Sequence, residues 1–409
     1  MRLHIDQVVA GGDGLARESN GRVVFVPGVL PDEVVLVRLT SAKRDFARGE
    51  VIEVLEPSPA RVEPPCPARR RGCGGCDWQH AGAASQAQLK LDLVREALRR
   101  TARVSDVSVS HGGSVAPWAY RTSMRAAVDR QGRVALRRPR TNEPVALDRC
   151  PVAHPLLDDL VHVARFRGAA EVSLRVSAAT GERSAWWTVA DAGDEVVPEA
   201  VPDDVALGSD ALVHERVHGL LFRVSGESFF QSGPAAAELL VDAVRDMGGD
   251  ELSAARRIVD AYGGVGLFAT TFSTPFSAGE GVDRSIIVVE GSAAACDDAR
   301  ANLHGRNATV VCSPVEMWTP QPADVVIADP SRTGLAKAAT EVLAATGAQV
   351  LVLVGCDPVA FARDVGLLGT AGYHLSRAVT LDLFPQTHHV EVVGRFERST
   401  NASDLSEIS

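Results

Sequence analysis

The chain reads as an α/β protein in three parts: a small N-terminal β-barrel, a central β-rich region with a cysteine cluster, and a C-terminal Rossmann-like, doubly wound sheet. Three observations predict this. Short β-branched runs separated by Gly and Pro turns fill residues 1–56, cysteines cluster just after them, and from about residue 216 short apolar runs alternate with helical stretches. A length of 409 residues suits two or three domains, and 45% hydrophobic side chains can fill their cores.

In residues 1–56, Val23–Val26, Val34–Val37 and Glu50–Leu55 read as strands, with turns at Gly11–Gly14, Asn20–Gly21 and Pro31–Asp32. So many strands in so short a span predict a barrel of the oligonucleotide-binding type. Residues 57–215 form the second part. They hold cysteines and then a helix near Ser85–Thr101, where Leu89, Leu93, Ala97 and Leu98 recur at helical spacing. From 111 the pattern is of hairpins, turned at Gln131–Gly132 and Thr141–Asn142, with a loop at Asp191–Asp194. In residues 216–409 the strands are Ile258–Val259, Ile286–Val289, Thr309–Val311, Val325–Ile327 and Val350–Val354. Helices fall between them near 234–247, 292–304 and 335–347, and Thr400–Ser409 reads as a polar, frayed tail.

The net charge of −10 hides an asymmetry. Residues 1–150 carry 24 basic and 17 acidic side chains, a net of +7, which leaves −17 for the remainder. Arg69–Arg71 and the Arg137, Arg138 and Arg140 group give the basic part clusters that can track phosphates. No apolar run reaches 18 residues, so no membrane span is expected. The N-terminus lacks an apolar signal region, which makes the cytoplasm the expected location. The seven cysteines then read as thiols, ligands or catalysts rather than disulfides. No obligate protein partner is expected.

The chemistry concentrates in the third part. Asp260 follows a strand and precedes Tyr262, Gly263, Gly264 and Gly266. Such glycines let the backbone approach a ligand closely and leave amide donors free. Glu290 ends the next apolar run, where a carboxylate can accept from both ribose hydroxyls, and Asp329 ends a later one. This loop fits S-adenosylmethionine, and its Gly264-x-Gly266-x-x-Ala269 spacing also fits a nicotinamide dinucleotide. Cys356 ends the run Leu351–Val354, just before a helix start at Pro358 whose dipoles can activate a thiol, and Arg332 and Arg363 are further candidates for that role. Glu391 follows apolar residues, surroundings that raise a carboxyl pKa and suit a proton acceptor. His388 and His389 are alternative bases; on a strand only one of them would face the site. Cys296 and Cys312 read as plain thiols.

Upstream, Cys66, Cys73 and Cys76 form C-x6-C-x2-C with Gly72, Gly74 and Gly75 between, and Cys150 is a distant fourth. Four thiolates can hold a [4Fe-4S] cluster or a zinc ion, and spacing does not separate the two.

Taken together, these segments resemble the S-adenosylmethionine-dependent RNA 5-methyluridine methyltransferases, which act on transfer and ribosomal RNA. Gly21–Gly28 and Ser58–Val62 are similar to that family's TRAM barrel and exit, and Asp329–Leu335 to its DPPRxGL motif. Ser228–Gln231 resembles its cofactor-contacting segment. The resemblance implies a class I methyltransferase domain at 216–409 and RNA as the partner. It implies a catalytic pair of Cys356 as nucleophile and Glu391 as base. It also implies a cofactor or base-orienting set of Gln231, Tyr262, Gly264, Glu290 and Asp329, and a [4Fe-4S] cluster on Cys66, Cys73, Cys76 and Cys150. Three positions depart from the family pattern: Gly355-Cys356-Asp357-Pro358 replaces Ser-Cys-Asn-Pro, Ser331 replaces the second Pro of DPPR, and Gly263 replaces a common Cys. Asp357 is expected to raise the thiol pKa or to bind the uracil edge differently. The competing readings are a catalytically idle RNA-binding protein and an iron–sulfur nicotinamide oxidoreductase.

Overall fold

A computed structural model describes residues 1–191, 195–273 and 284–399. The Asp191–Asp194 loop, beyond its first residue, and the Thr400–Ser409 tail lie outside them.

Five strands form the barrel: β1 (Arg2–Val8), β2 (Gly14–Arg17), β3 (Val23–Val26), β4 (Val34–Ala42) and β5 (Phe46–Glu56). They close in the order β1-β2-β3-β5-β4. Burial alternates along β1, β3 and β4, so Leu3, Ile5, Val24, Val26, Val35 and Val37 fill the interior. The barrel is not a loose appendage. Val8 packs with Trp78 and Leu93 in a small core of its own, and Trp78 Nε1 donates to Gly12 O at 3.2 Å.

The central region is a six-stranded sheet in the order 205–207, 183–189, 169–176, 123–128, 134–137, 144–146. Its hairpins turn where Gln131–Gly132 and Thr141–Asn142 predict, and Gly132 takes a left-handed φ of 80° at the first of them.

The expected helix forms α1 (Ala83–Ala97), and the strand β6 (Ser108–Ser114) follows it. Both lie within residues 57–215, yet they belong to the third layer: β6 pairs in parallel with the last-but-one strand of the C-terminal sheet. That sheet continues with β7 (Arg257–Ala261), β8 (Ser285–Glu290), β9 (Ala308–Cys312), β10 (Val325–Ala328), β11 (Val350–Gly355), β12 (Tyr373–Asp382) and β13 (Glu391–Arg398). The order is β9-β8-β7-β10-β11-β13-β12-β6. The strands β7 to β11 are parallel, and β13 runs antiparallel between β11 and β12. Helices α2 (Pro234–Ala254), α3 (Leu267–Phe272), α4 (Ala293–Asn302), α5 (Ala336–Ala344) and α6 (Pro358–Thr370) connect them. All six residues of Val350–Gly355 but the last are buried, as a doubly covered parallel strand requires. No helix among the described residues is long and apolar enough to cross a membrane.

Candidate active site at the carboxyl edge of the sheet

The register of the sheet brings the predicted residues to one edge. Ala261 pairs with Val289 and with Ala328, so Tyr262, Glu290 and Asp329 stand one step further on, at adjacent strand ends. Gly355 pairs with Val392 across the antiparallel β11–β13 ladder. That is the last pair of the ladder: Cys356 follows it just past the end of β11, and Glu391 precedes it at the start of β13. Open α/β sheets bind ligands at this edge.

Between β7 and α3, Tyr262, Gly264 and Gly266 all take left-handed φ, of 59°, 54° and 82°. Glu290 braces the loop: its carboxylate accepts from Gly264 N at 2.9 Å and Ser292 N at 2.7 Å. Gly263 departs from the common Cys for a steric reason. A Cβ there would sit 2.6 Å from Val288 Cγ1 and 3.1 Å from Asp260 Cγ. Asp260 lies fully buried beneath the loop. Its Oδ2 accepts from Ala269 N at 2.8 Å, while Oδ1 has no partner among the described residues. Burial pushes its pKa up to about 7, helped by the nearby Asp329 and Glu290.

Gln231 is buried in the segment before α2. Asp298 of α4 anchors that segment, accepting from Ser225 Oγ and Ser228 Oγ at 2.6 Å each.

The Cys356 thiol is half-buried. Burial pushes its pKa up to about 12, Glu391 and Asp329 add to the rise, and Arg332 pulls the other way. Burial and Asp329 likewise hold the Glu391 carboxyl well above the usual carboxylate range, and burial raises Asp329 to about 7. Asp357 is not the carboxylate that acts on the thiol, contrary to the sequence expectation. Its Oδ1 caps α6, accepting from Val359 N and Ala360 N at 2.9 Å each, a task Asn performs equally well. Gly355 makes room for Phe361, whose Cδ2 would be 3.0 Å from a Cβ at 355. Ser331 bonds Thr333 Oγ1 at 3.0 Å. Arg363 does not face the thiol: it donates to Thr333 O at 2.6 Å and pairs with Asp364, which accepts from Leu335 N at 2.7 Å. Helix α6 thus pins the loop that carries Asp329 and Arg332.

A cleft beside the thiol is lined by Arg332, Cys356, Asp357, Pro358, His388, His389 and Val390, together with Leu93 of α1 and Ala10 and Gly11 of the barrel. Both histidines face it, against the strand-based expectation, because β13 starts only at Glu391 and 386–390 is a turn. Arg332 Nη2 lies 2.9 Å from His389 Nε2, and burial drives that imidazole down to about 3, so it is neutral. The sequence marks Gly11 only as a turn residue, and no local signal marks Ala10 or the Asp364 anchor.

Cys66, Cys73, Cys76 and Cys150 line a single second cavity. Burial raises three of these thiols: Cys73, Cys76 to about 11 and Cys150 to about 12. Gly75 N points at Cys73 Sγ from 3.5 Å. A Cβ on Gly74 would meet the backbone at Arg137 O at 2.6 Å, so glycine is required there, while one on Gly75 would press on the Leu136 side chain. Among the described residues, no three His, Cys, Asp or Glu side chains are grouped to hold one metal ion. Cys296 and Cys312 flank Glu290: Cys296 Sγ donates to Glu290 O at 3.3 Å, Cys312 pairs with Glu290 across the sheet, and the two sulfurs lie 2.6 Å apart.

Comparison with known proteins bears on the family and the fold. Residues 1–52 match the model of the TRAM domain. The chain is 33% identical to a protein of Streptomyces avermitilis described as an uncharacterized RNA methyltransferase, across 97% of both chains. It is 30% identical to another, from Gloeobacter violaceus, across 97% of this chain and 96% of that one. The chain belongs to this RNA methyltransferase family. The fold of this methyltransferase also matches the crystal structure of the tRNA (uracil-54, C5)-methyltransferase of Pyrococcus abyssi in complex with S-adenosyl-L-homocysteine. That match has a TM-score of 0.72 at 22% identity, over 97% of this chain and 99% of that one.

Proposed function

We propose that this RNA methyltransferase transfers a methyl group from S-adenosylmethionine to C5 of a uridine in transfer or ribosomal RNA, through a transient bond between Cys356 and C6. The observation that carries the reading is that Cys356 and Glu391 flank the closing Gly355–Val392 pair of their ladder, at the sheet edge where Tyr262, Glu290 and Asp329 also end their strands.

C5 of uracil is a poor nucleophile. Addition of the Cys356 thiolate to C6 forms an enolate and makes C5 electron-rich. S-adenosylmethionine supplies an electrophilic methyl group on a sulfonium. Once C5 carries the methyl, Glu391 accepts the C5 proton, the C6–S bond breaks and the thiolate leaves. Burial raises the pKa of Glu391, so its ionised carboxylate is a stronger base than an exposed one. Gln231, Tyr262, Gly264, Glu290 and Asp329 would hold the methyl donor or orient the base. The open space around Gly264 fits a ligand beside the loop. The target base must leave its stack at a cost of a few kcal/mol, which favours a loop uridine. The basic N-terminal part offsets that cost, and the barrel turn at Ala10–Gly11 lining the thiol cleft supports joint contact of RNA with both.

The four cysteines would hold a [4Fe-4S] cluster. Each thiolate of such a cluster binds a different iron, so the ligands surround a cavity rather than converge on one ion as around zinc. That all four cysteines line one cavity is what supports a shared centre on them. Its role in the reading is structural, since no step requires an electron.

Mapping 5-methyluridine in RNA from cells with and without this protein tests the function. One or more sites that vanish with the protein are expected; an unchanged map would refute the assignment.

A further inference from the structure

The cysteine loop and the proposed base are joined by a specific set of contacts. Residues 383–390 link β12 to Glu391, and this turn rests on the chain that surrounds the cysteines. Trp78 N donates to Gln386 O at 2.9 Å. Gln86 holds the Gln386 backbone N at 2.7 Å and its side chain at 3.1 Å. Tyr120 Oη donates to Pro385 O at 3.2 Å, and the Arg121 guanidinium, which also lines the cysteine cavity, lies 5.9 Å from the Phe384 ring centre. Gln386 takes a left-handed φ of 72°, a conformation costly for a side-chain-bearing residue and kept only where the surroundings impose it.

The contact nearest the chemistry is Asp77, the residue after Cys76. Its Oδ1 accepts from His388 N at 3.1 Å, and its Oδ2 meets His388 Nδ1. The His388 ring lies 4.2 Å from that of His389, which touches Arg332, and all three line the thiol cleft. The space is tight: a Cβ on Gly12 of the barrel would fall 2.8 Å from His388 Cβ and 2.9 Å from Asp77 Oδ2.

We infer that Asp77 is a positioning residue for proton removal. It fixes His388, and through that turn it fixes where Glu391 and Arg332 meet the substrate. The cysteine loop thereby serves catalysis as the mount of the base segment. This rests on the covalent mechanism proposed above.

The test compares Asp77→Ala, Asp77→Asn, His388→Ala and Glu391→Gln with the unaltered protein, reading iron per chain, KM for RNA, kcat and SDS-stable protein–RNA adduct. A displacement of about 1 Å in a reacting group can cost about 10²-fold in rate. Asp77→Ala is expected to keep its iron and its KM within about twofold, lose at least about tenfold in kcat, and accumulate adduct as Glu391→Gln does. Asp77→Asn, whose oxygen still accepts from His388 N, is expected to recover part of kcat. Should Asp77→Ala fail to fold, His388→Ala must show the same accumulation. Unchanged turnover, or activity that falls only in step with iron and without adduct, would overturn the inference. No adduct in Glu391→Gln would overturn the mechanism and this inference with it.

Discussion

The surroundings of Cys356 predict a thiol that is slow until RNA arrives. Burial, Glu391 and Asp329 push its pKa to about 12. An ordinary cysteine near 8.5 is about 3% thiolate at pH 7, whereas a group at 12 is about 0.001% thiolate, a deficit on the order of 10³. A more basic thiolate is intrinsically more reactive. With a Brønsted slope of about 0.45, the difference of about 3.5 pKa units returns a factor of about 40. The free protein should therefore react at residue 356 with a small disulfide about a hundredfold more slowly than glutathione does at pH 7. The rate should climb close to tenfold per pH unit through pH 9.5, because every unit below the pKa multiplies the thiolate tenfold. The assay is timed exposure to the disulfide, quenching, and mass spectrometry of the peptide containing residue 356. A plateau between pH 8 and 9, or reaction faster than glutathione at pH 7, would refute the electrostatic reading of the site.

Two further outcomes follow. Asp357→Asn should leave both stability and thiol reactivity unchanged, while Asp357→Ala should cost about 1 kcal/mol, measured by denaturant unfolding, through loss of the α6 cap; a faster thiol in the Asn variant would show that the carboxylate tunes it. Anaerobically purified protein should be brown with about four irons per chain, and Cys73→Ser should bleach it; a colourless protein with one zinc would overturn the cluster assignment.

Much of this site was legible in the chain. Parallel strands are buried on both faces and so read as short apolar runs, and their carboxyl ends fall at Asp260, Glu290, Asp329 and Cys356 without any coordinates. The barrel was legible because its strands are short β-branched runs set off by Gly and Pro turns. Three features were not. The strand β6 is poor in apolar residues, since its sequence SVSHGGS borders the sheet edge. The turn at 386–390 takes its shape from residues about 300 positions away, such as Gln86 and Asp77, and no local pattern encodes that. Asp357 looked like a charge beside a thiol because sequence shows adjacency but not direction; its carboxylate turns into the helix start.

The most direct test is methyl transfer by Cys356→Ala, using isotopically labelled S-adenosylmethionine and an RNA that the unaltered protein modifies. The account predicts label at C5 of uridine with the unaltered protein, none with Cys356→Ala, and RNA binding that largely survives the substitution. Undiminished transfer by that variant would contradict covalent catalysis at Cys356.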